Sequence, residues 1–361
     1  MLFDLIVIGA GQSGLSMGYW LKQTCKKFII LDKCSSIGES WKNRYDSLIL
    51  FTPKKYSSLP GLNFPGAPND LPTKDEVTAY LREYAETFKL PVQLETKITS
   101  LSGSREENLF TVTTNQKTYQ AKQIVIATGP FQTPFIPPFA HNLPSDVTQI
   151  HSSEYKNPSQ LKPGPVLVVG GGNSGAQIAV ELATKHQVSL SVGQKIRYLP
   201  LKFMGKPIFW WFDKLGILRT DRESVMGKKI RSSGDPIFGL ELKKLVNQKQ
   251  IRIFPRTKGQ DLGEIIFENN DRLKPSNIIW ATGFKPTYGW IDIPDILDRH
   301  GKPIHNRGVT NIPGVVFLGQ PWQNKRGSAL LLGVGEDAKY LAEHLASSIE
   351  KNELSIKKNV M

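Results

Sequence analysis

The 361-residue chain lacks the long apolar run that a membrane-spanning helix needs. Hydrophobic residues make up 39% of it, as in globular proteins, and no run of about 18 apolar residues occurs. The first strand pattern, Leu5-Ile6-Val7-Ile8, begins so early that no cleaved signal peptide is expected. These features predict a cytoplasmic protein without stable membrane insertion.

The chain has only two cysteines, and their spacing is not that of a redox-active pair. Cys25 and Cys34 do not form the CxxC pair of a redox-active disulfide. The spacing therefore disfavours a reductase that works through two cysteines. The six histidines show neither HExxH nor another paired ligand spacing, so no metal site is expected.

Acidic residues are outnumbered, but the excess positive charge is spread along the chain. The formal net charge is +14, from 46 Lys and Arg against 32 Asp and Glu. The basic runs are no longer than pairs such as Lys228-Lys229 and Lys243-Lys244. This distribution favours a solvated basic surface that attracts anionic cofactors, and no nucleic-acid partner is expected.

Two GxGxxG motifs stand out against these absences. The first is Gly9-Ala10-Gly11-Gln12-Ser13-Gly14, after the strand pattern at 5–8, and the second is Gly170-Gly171-Gly172-Asn173-Ser174-Gly175, after Val166-Leu167-Val168-Val169. In such a motif the glycines allow a tight turn, close approach of a pyrophosphate, and close packing of helix on strand. Two such turns in one chain predict two bound dinucleotides.

An acidic residue follows the second strand of the first unit. Phe28-Ile29-Ile30-Leu31 runs into Asp32 and Lys33. A carboxylate at this position accepts hydrogen bonds from the ribose hydroxyls of an unphosphorylated adenosine, which fits FAD and also NAD.

The order of patterns predicts an α/β fold of two Rossmann-like dinucleotide-binding domains. Each unit closes with a buried strand and a small-residue turn, Ala127-Thr128-Gly129 in the first and Ala281-Thr282-Gly283 in the second. The chain then returns to the first unit. We therefore expect an FAD domain at 1–160 and 285–361, with an NAD(P)H domain inserted at 161–284.

The motifs taken together resemble the two-domain FAD- and NAD(P)H-dependent flavin monooxygenases. The resemblance covers nearly the whole chain and is nearest to the short bacterial type and the plant auxin-forming relatives. Beyond the two glycine turns it rests on Gly38-Glu39-Ser40-Trp41 with Arg44, His151 with Tyr155-Lys156, Ala281 to Pro286, Lys325-Arg326-Gly327, and Asp337-Ala338.

The resemblance implies an enzyme that uses NAD(P)H and O2. Through a C4a-(hydro)peroxyflavin it would oxygenate a small apolar sulfide, amine or ketone. Cofactor-binding residues are then expected in three groups. These are Gly9, Gly11, Gln12, Ser13, Gly14, Asp32, Lys33, Trp41, Arg44 and Asp337 along FAD; Gly170, Gly172, Asn173, Ser174, Gly175, Gln194 and Lys195 along NADPH or NADH; and Ala127, Thr128, Gly129, Ala281, Thr282 and Gly283 at the two strand ends.

Two positions depart from the family pattern. Phe51 stands where many relatives place a flavin-facing Asn, and it cannot donate a hydrogen bond, so we expect a shorter-lived oxygen adduct and more hydrogen peroxide. The arginine that reads the 2′-phosphate of NADPH is missing after Val188–Val192, where Gly193-Gln194-Lys195 follows. Lys195 or Arg197 could act as a point charge and Gln194 could bind a ribose hydroxyl, so both coenzymes should be used.

Some questions stay open at this level. The aromatic segment 203–212 is a substrate portal, a membrane-contact helix, or, as we favour, a helix packed on the nicotinamide domain or on a second subunit of a homodimer. Rival functions are an NAD(P)H oxidase or flavin reductase without oxygen insertion, and an FAD-bound redox-responsive regulator of a partner such as a cation-transport system.

Overall fold

The computed structural model describes residues 1–103 and 109–359 of the chain. The first part contains helices α1 Gln12–Leu21, α2 Glu39–Lys42 and α3 Lys74–Thr87, and strands β1 Leu2–Ile8, β2 Phe28–Leu31, β3 Val92–Gln93, β4 Ile98–Gly103, β5 Phe110–Thr114, β6 Thr118–Ile126, β7 Thr133–Pro134 and β8 Thr148–His151. Short 3-10 helices lie at Lys54–Tyr56, Pro138–Asn142 and Pro158–Gln160.

The middle of the chain starts again with a strand and a helix. Its helices are α4 Asn173–Leu182, α5 Ile208–Lys214, α6 Val225–Ser232 and α7 Glu241–Asn247. Its strands are β9 Val166–Val169, β10 Val188–Ser191, β11 Tyr198–Leu199, β12 Lys202–Phe203, β13 Lys206–Pro207, β14 Ile237–Phe238, β15 Ile251–Phe254, β16 Thr257–Asp261, β17 Glu264–Phe267, β18 Arg272–Leu273 and β19 Asn277–Trp280, with a 3-10 helix at Ile217–Arg219.

The last part returns to the first sheet. It contains β20 Phe284–Lys285, β21 Ile291–Asp292, β22 His305–Asn306, β23 Val309–Thr310, β24 Val315–Phe317, a 3-10 helix at Arg326–Ala329, and α8 Leu331–Asn359. Within the described residues, no helix combines the length and apolarity needed to cross a bilayer.

The first sheet has a parallel core in the order β3-β2-β1-β6-β24. Strand β6 is shared along its length: its first half, Thr118–Ala121, pairs antiparallel with β5, and its second half, Ile124–Ile126, pairs parallel with β24. Helices α1 and α3 and the start of α8 share one hydrophobic core with one face of this sheet. The carboxyl ends of β1, β2 and β6 therefore open on one edge, where ligands bind in α/β proteins.

The second sheet is parallel throughout, in the order β15-β10-β9-β19-β8. Its central strands β9, β10 and β19 are buried at every residue, as expected for a sheet covered on both faces. The edge strand β8 comes from Thr148–His151, a segment that precedes the second glycine turn in the chain. The predicted α/β class with two Rossmann-like units is confirmed.

The two connections between the sheets run side by side. Strand β7 leaves the first sheet, β20 returns from the second, and the two pair antiparallel with Phe284 opposite Pro134 and Lys285 opposite Thr133. This two-stranded ribbon joins the carboxyl ends of β6 and β19, so it lies beside both candidate nucleotide sites.

Candidate cofactor sites

In the first glycine turn, two of the three motif glycines touch neighbouring backbone and the third borders open space. Gly9 has φ +109°, and a side chain there would lie 2.7 Å from the carbonyl oxygen of Ala127. A Cβ on Gly14 would lie only 1.8 Å from the carbonyl oxygen of Gly9. A Cβ on Gly11, in contrast, would meet nothing within 4 Å. The outer glycines are required by packing, and the middle one borders free space.

The second glycine turn repeats this geometry. Gly170 has φ +122°, and its Cβ would lie 2.1 Å from the carbonyl oxygen of Ala281. A Cβ on Gly175 would lie 2.0 Å from the oxygen of Gly170, whereas one on Gly172 would meet nothing within 4 Å. In both units the alanine of the Ala-Thr-Gly turn therefore closes the back of the glycine turn.

These open faces fit a pyrophosphate. Helix α1 begins directly after Gly11 and α4 directly after Gly172. The first-turn amides of a helix have no carbonyl partner within it and carry the positive end of the dipole. Gly11 and Gly172 thus each border a space into which unpaired N–H groups point. We call the space at Gly11 the first cradle and the space at Gly172 the second cradle.

Asp32 forms hydrogen bonds with the backbone beside the first cradle. Its carboxylate accepts hydrogen bonds from the backbone N–H of Ala10 at 2.5 Å and of Cys34 at 2.8 Å. Carboxylate oxygens have further lone pairs, so ribose hydroxyls can still be bound there. Lys33, also predicted to contact the cofactor, is exposed.

Two other residues predicted to contact FAD, Gln12 and Ser13, contact other parts of the protein. The Gln12 side chain accepts from the indole N–H of Trp41 at 3.3 Å and donates to the carbonyl of Ala329 at 3.2 Å. Ser13 is buried, and a Cβ on Gly319 would lie 2.1 Å from its hydroxyl oxygen. Gln12 therefore connects Trp41 in α2 to the segment that leads into α8.

Arg44 lies at the ribbon between the sheets. Its guanidinium carbon is 5.3 Å from the ring centre of Phe131 and 5.1 Å from that of Phe284, within cation–π distance of both. Burial lowers its pKa from the ordinary arginine value. The structure thus places this predicted cofactor residue beside both connecting segments.

The threonines of the two Ala-Thr-Gly turns are bound to the same ribbon. The Thr128 hydroxyl accepts from the side-chain amide of Gln132 at 3.0 Å, and that amide also donates to the carbonyl of Gly129 at 2.9 Å. The Thr282 hydroxyl donates to the carbonyl of Phe135. Both turns are therefore held by side chains or carbonyls of the outgoing connection.

His151 fixes the returning connection and is neutral. Its Nε2 lies 3.0 Å from the carbonyl oxygen of Gly283, which can only accept, so Nε2 carries the proton. Nδ1 then accepts from the hydroxyl and the N–H of Ser153, at 2.8 and 3.1 Å. Burial lowers its pKa and favours this neutral form.

Asn173 connects the second cradle to an apolar cluster. Its amide donates to the carbonyl of Pro236 at 3.0 Å and accepts from the N–H of Phe238 at 2.9 Å. Its neighbour Ser174 is exposed. The sequence suggested a phosphate ligand in Asn173, and the structure adds a positioning contact to β14.

Phe51 packs into that cluster. Its ring lies 4.4 Å from the ring of Phe238, at 15°, and 6.2 Å from that of Phe209, at 19°. Leu332, in the first turn of α8, packs against the same group. We call Phe51, Phe209, Phe238 and Leu332 the interdomain cluster, because its members come from both Rossmann units.

The aromatic segment 203–212 therefore has two faces. Ile208 and Phe209 are buried in or beside the interdomain cluster, whereas Phe203 and Met204 are largely exposed. The favoured expectation of a helix packed on the nicotinamide domain describes the buried face. On the exposed face, the Phe203 ring lies 5.9 Å from that of Trp211, and the Trp211 indole N–H donates to the Phe203 carbonyl at 2.9 Å.

Asp337 lies deep inside the molecule. It is fully buried in α8, and within the described residues neither carboxylate oxygen has a hydrogen-bond partner. Burial raises its pKa, while Ser328, Lys325 and Arg307 nearby act in the opposite direction.

The second cradle opens into a cavity of about 380 Å³. Gln194 and Lys195, the two residues predicted to contact the nicotinamide coenzyme there, line this cavity, and both are exposed. Arg256 lines it too, and the sequence did not indicate this residue. It lies in no motif and follows β15, so only the strand order, with β15 beside β10, brings it to the site.

Comparisons with known proteins agree with this geometry. A family model described as pyridine nucleotide-disulphide oxidoreductase matches residues 6–197. An "uncharacterized oxidoreductase CzcO-like" from Geobacillus kaustophilus is 55% identical over 94% of this chain and 97% of its own length. The probable indole-3-pyruvate monooxygenase YUCCA1 of Arabidopsis thaliana is 29% identical over 82% of this chain and 80% of its own.

A solved structure matches the whole fold. The flavin-containing monooxygenase from Stenotrophomonas maltophilia superimposes with a TM-score of 0.79 at 25% identity, covering 96% of this chain and 98% of that one.

Proposed function

Because the chain belongs to the flavin-containing monooxygenases of the pyridine nucleotide-disulphide oxidoreductase family, which use FAD and NAD(P)H, we propose that it oxygenates a small apolar substrate. The substrate class is a sulfide, an amine or a ketone. We further propose that it works in the cytoplasm, where its nicotinamide coenzyme is available.

The observation that supports the proposal is the position of the interdomain cluster. From the first cradle, Gln12 binds Ala329, which leads into α8 and Leu332. From the second cradle, Asn173 binds Phe238. Both cradles are therefore tied to one apolar surface, and an apolar molecule held there is close to both dinucleotides.

Each part of the chain then has a task. The first cradle and Asp32 hold FAD, and the second cradle holds the nicotinamide coenzyme. When bound, FAD supplies the oxygen activation, with one oxygen atom of O2 passing to the substrate and the other leaving as water. The interdomain cluster excludes bulk water from the substrate, and its ring at Phe51 offers no hydrogen-bond donor.

The cysteines support an oxygenase over a disulfide reductase. Burial, together with the neighbouring Asp32, raises the pKa of the Cys34 thiol to about 12, so it is not a nucleophile near neutral pH. Cys25 is exposed, and both thiols are free. The pairing that disulfide chemistry requires is therefore missing from this member of the family.

The proposal is tested by reducing the FAD-loaded protein with NADPH and with NADH under anaerobic conditions. Air is then admitted with a panel of sulfides, ketones and amines, and with no substrate as the control. Oxygenated product in proportion to coenzyme consumed supports the proposal. Coenzyme consumption that yields only hydrogen peroxide with every substrate overturns it and favours an NAD(P)H oxidase, the rival to which Phe51 lends weight.

A further inference from the structure

Arg256 lies beside the end of a strand from which it is distant in sequence. Strands β10 and β15 are parallel neighbours in register, with Ser191 opposite Phe254. The residues that follow both strands therefore meet at the same edge. The Arg256 guanidinium donates to the carbonyl oxygen of Gly193 at 3.3 Å. A Cβ on Gly193 would lie 2.7 Å from a nitrogen of that guanidinium.

This edge borders the cavity beyond the second cradle, and the cavity is cationic. Its lining contains Lys195, Arg197 and Arg256 against a single carboxylate, Asp235. That carboxylate is bound by Arg326 at 3.0 Å. A dinucleotide whose pyrophosphate lies at Gly172 would place its adenosine ribose in this direction.

The three cations are not equally available. The Arg197 guanidinium donates to the carbonyl of Gly234 and is committed to that loop. Arg256 donates to the Gly193 carbonyl at the longer distance of 3.3 Å and faces Glu268 at 3.5 Å. Both the Arg256 and Glu268 side chains are more than half exposed, so the ion pair is weak and exchangeable. Lys195 is exposed and contributes only a point charge.

We propose that Arg256 recognises the 2′-phosphate of NADPH, with Lys195 as a secondary charge. This inference rests on the proposed function only for the class of coenzyme. The planar guanidinium matches phosphate oxygens with two parallel hydrogen bonds, which an ammonium group cannot do. The chain thus replaces the arginine that is missing after β10 with one that follows the neighbouring strand, β15.

The expected preference for NADPH is moderate. Because Arg256 is largely exposed, its contact with phosphate competes with water and with Glu268, and a gain of about tenfold in affinity is expected. NADH should therefore remain usable, as expected from the sequence.

The test measures coenzyme binding to the FAD-loaded protein. The Kd values of NADP⁺ and NAD⁺, and of the fragments 2′,5′-ADP and 5′-AMP, are determined for the natural chain and for Arg256→Ala. Arg256→Ala should weaken NADP⁺ and 2′,5′-ADP about tenfold and change NAD⁺ and 5′-AMP less than about twofold. Arg256→Lys should weaken NADP⁺ by a smaller factor.

Arg252→Ala is the matched control. Arg252 lies in β15, the strand that Arg256 follows, is similarly exposed and is ion-paired with Asp271 at 3.5 Å, but does not line the cavity. It should change none of the four Kd values. Equal weakening of NADP⁺ and NAD⁺ in Arg256→Ala would overturn the proposal in favour of stacking on adenine, and unchanged Kd values would overturn it outright.

Binding is measured without oxygen transfer, so this result is separate from the oxygenation assay. A protein that forms only peroxide can still show the tenfold loss. Conversely, an active oxygenase whose Arg256→Ala variant binds NADP⁺ normally has its 2′-phosphate site elsewhere.

Discussion

The rings of Phe51 and Phe238 lie 4.4 Å apart and 15° from parallel, although the two residues belong to different Rossmann units. Phe51 comes from the loop after α2, and Phe238 is held in place by Asn173 at the second cradle. The apolar surface of the site therefore exists only when both units are folded against each other. We therefore expect nucleotide binding at the second cradle to affect the shape of the interdomain cluster, the proposed substrate surface.

The middle glycine and the last glycine of the first turn, Gly11 and Gly14, should respond differently to alanine. Gly11→Ala places a methyl group in open space, so the free energy of unfolding should change by less than about 1 kcal/mol while FAD affinity falls. Gly14→Ala forces a Cβ onto the Gly9 carbonyl and should cost about 3 kcal/mol or more. Urea unfolding and the flavin content of the purified protein measure the two effects.

Gly172→Ala is the reciprocal control for that pair, because it blocks only the second cradle. It should retain FAD and weaken NADP⁺ and NAD⁺ alike. Loss of FAD from Gly172→Ala, or full FAD retention by Gly11→Ala, would contradict the assignment of the two cradles.

Replacing Phe51 by Asn should raise the yield of oxygenated product. The amide supplies a hydrogen-bond donor where the phenyl ring has none. The share of NADPH consumption that ends in hydrogen peroxide should fall by about twofold or more, as one charge-assisted hydrogen bond is gained. The measurement is peroxide and product per NADPH oxidised.

Phe51→Leu distinguishes the effect of the added hydrogen-bond donor from the effect of lost ring packing. Like Phe51→Asn it removes the stack on Phe238, but it adds no polar group. It should leave the peroxide share unchanged or higher. If Asn and Leu lower peroxide equally, the ring and not the missing donor controls the leakage.

Acidification should destabilise the protein partly through His151. The residue is 1% exposed, and burial lowers its pKa below the ordinary 6.5, an effect that Arg44 reinforces and that Gly283 and Glu154 oppose. The unfolded chain then binds more protons than the folded one, so the free energy of unfolding should fall as the pH drops below about 6.5, until the folded pKa is passed. Thermal unfolding from about pH 7 to 5 measures this slope.

His151→Gln keeps an N–H that can donate to Gly283 and cannot titrate, so its slope should be shallower. His305, which is half-buried and whose pKa is also lowered by burial, should add to the slope in the same direction. An identical pH dependence in His151→Gln and the natural chain would exclude His151 as a contributor.

The thiols should be dispensable for electron transfer. Because the pKa of Cys34 is raised to about 12 and Cys25 is exposed, iodoacetamide near neutral pH should label Cys25 first. The double variant Cys25→Ser/Cys34→Ser should reduce its flavin with NADPH at the natural rate in anaerobic stopped-flow experiments. A large loss of that rate would indicate thiol chemistry and contradict the assignment.

Much of the architecture could be predicted because its signals are local. A buried strand, a glycine turn and a helix follow one another within about 20 residues, and the start of α3 is likewise set locally, by a capping box between Thr73 and Glu76. The family and the fold class are confirmed for the same reason. The roles of the individual site residues stay predictions, although Asp32 and the open faces at Gly11 and Gly172 have the geometry they require.

The places where the backbone turns and admits a phosphate could be predicted from the amino-acid order alone, because a missing Cβ is a property of one residue and acts on its immediate neighbours. The stacking of Phe238 on Phe51 and the contact of Arg256 with Gly193 became visible only in the folded chain. Those contacts depend on the order of strands in a sheet and on the docking of two units. Both result from packing between segments distant in the chain, which no local pattern encodes.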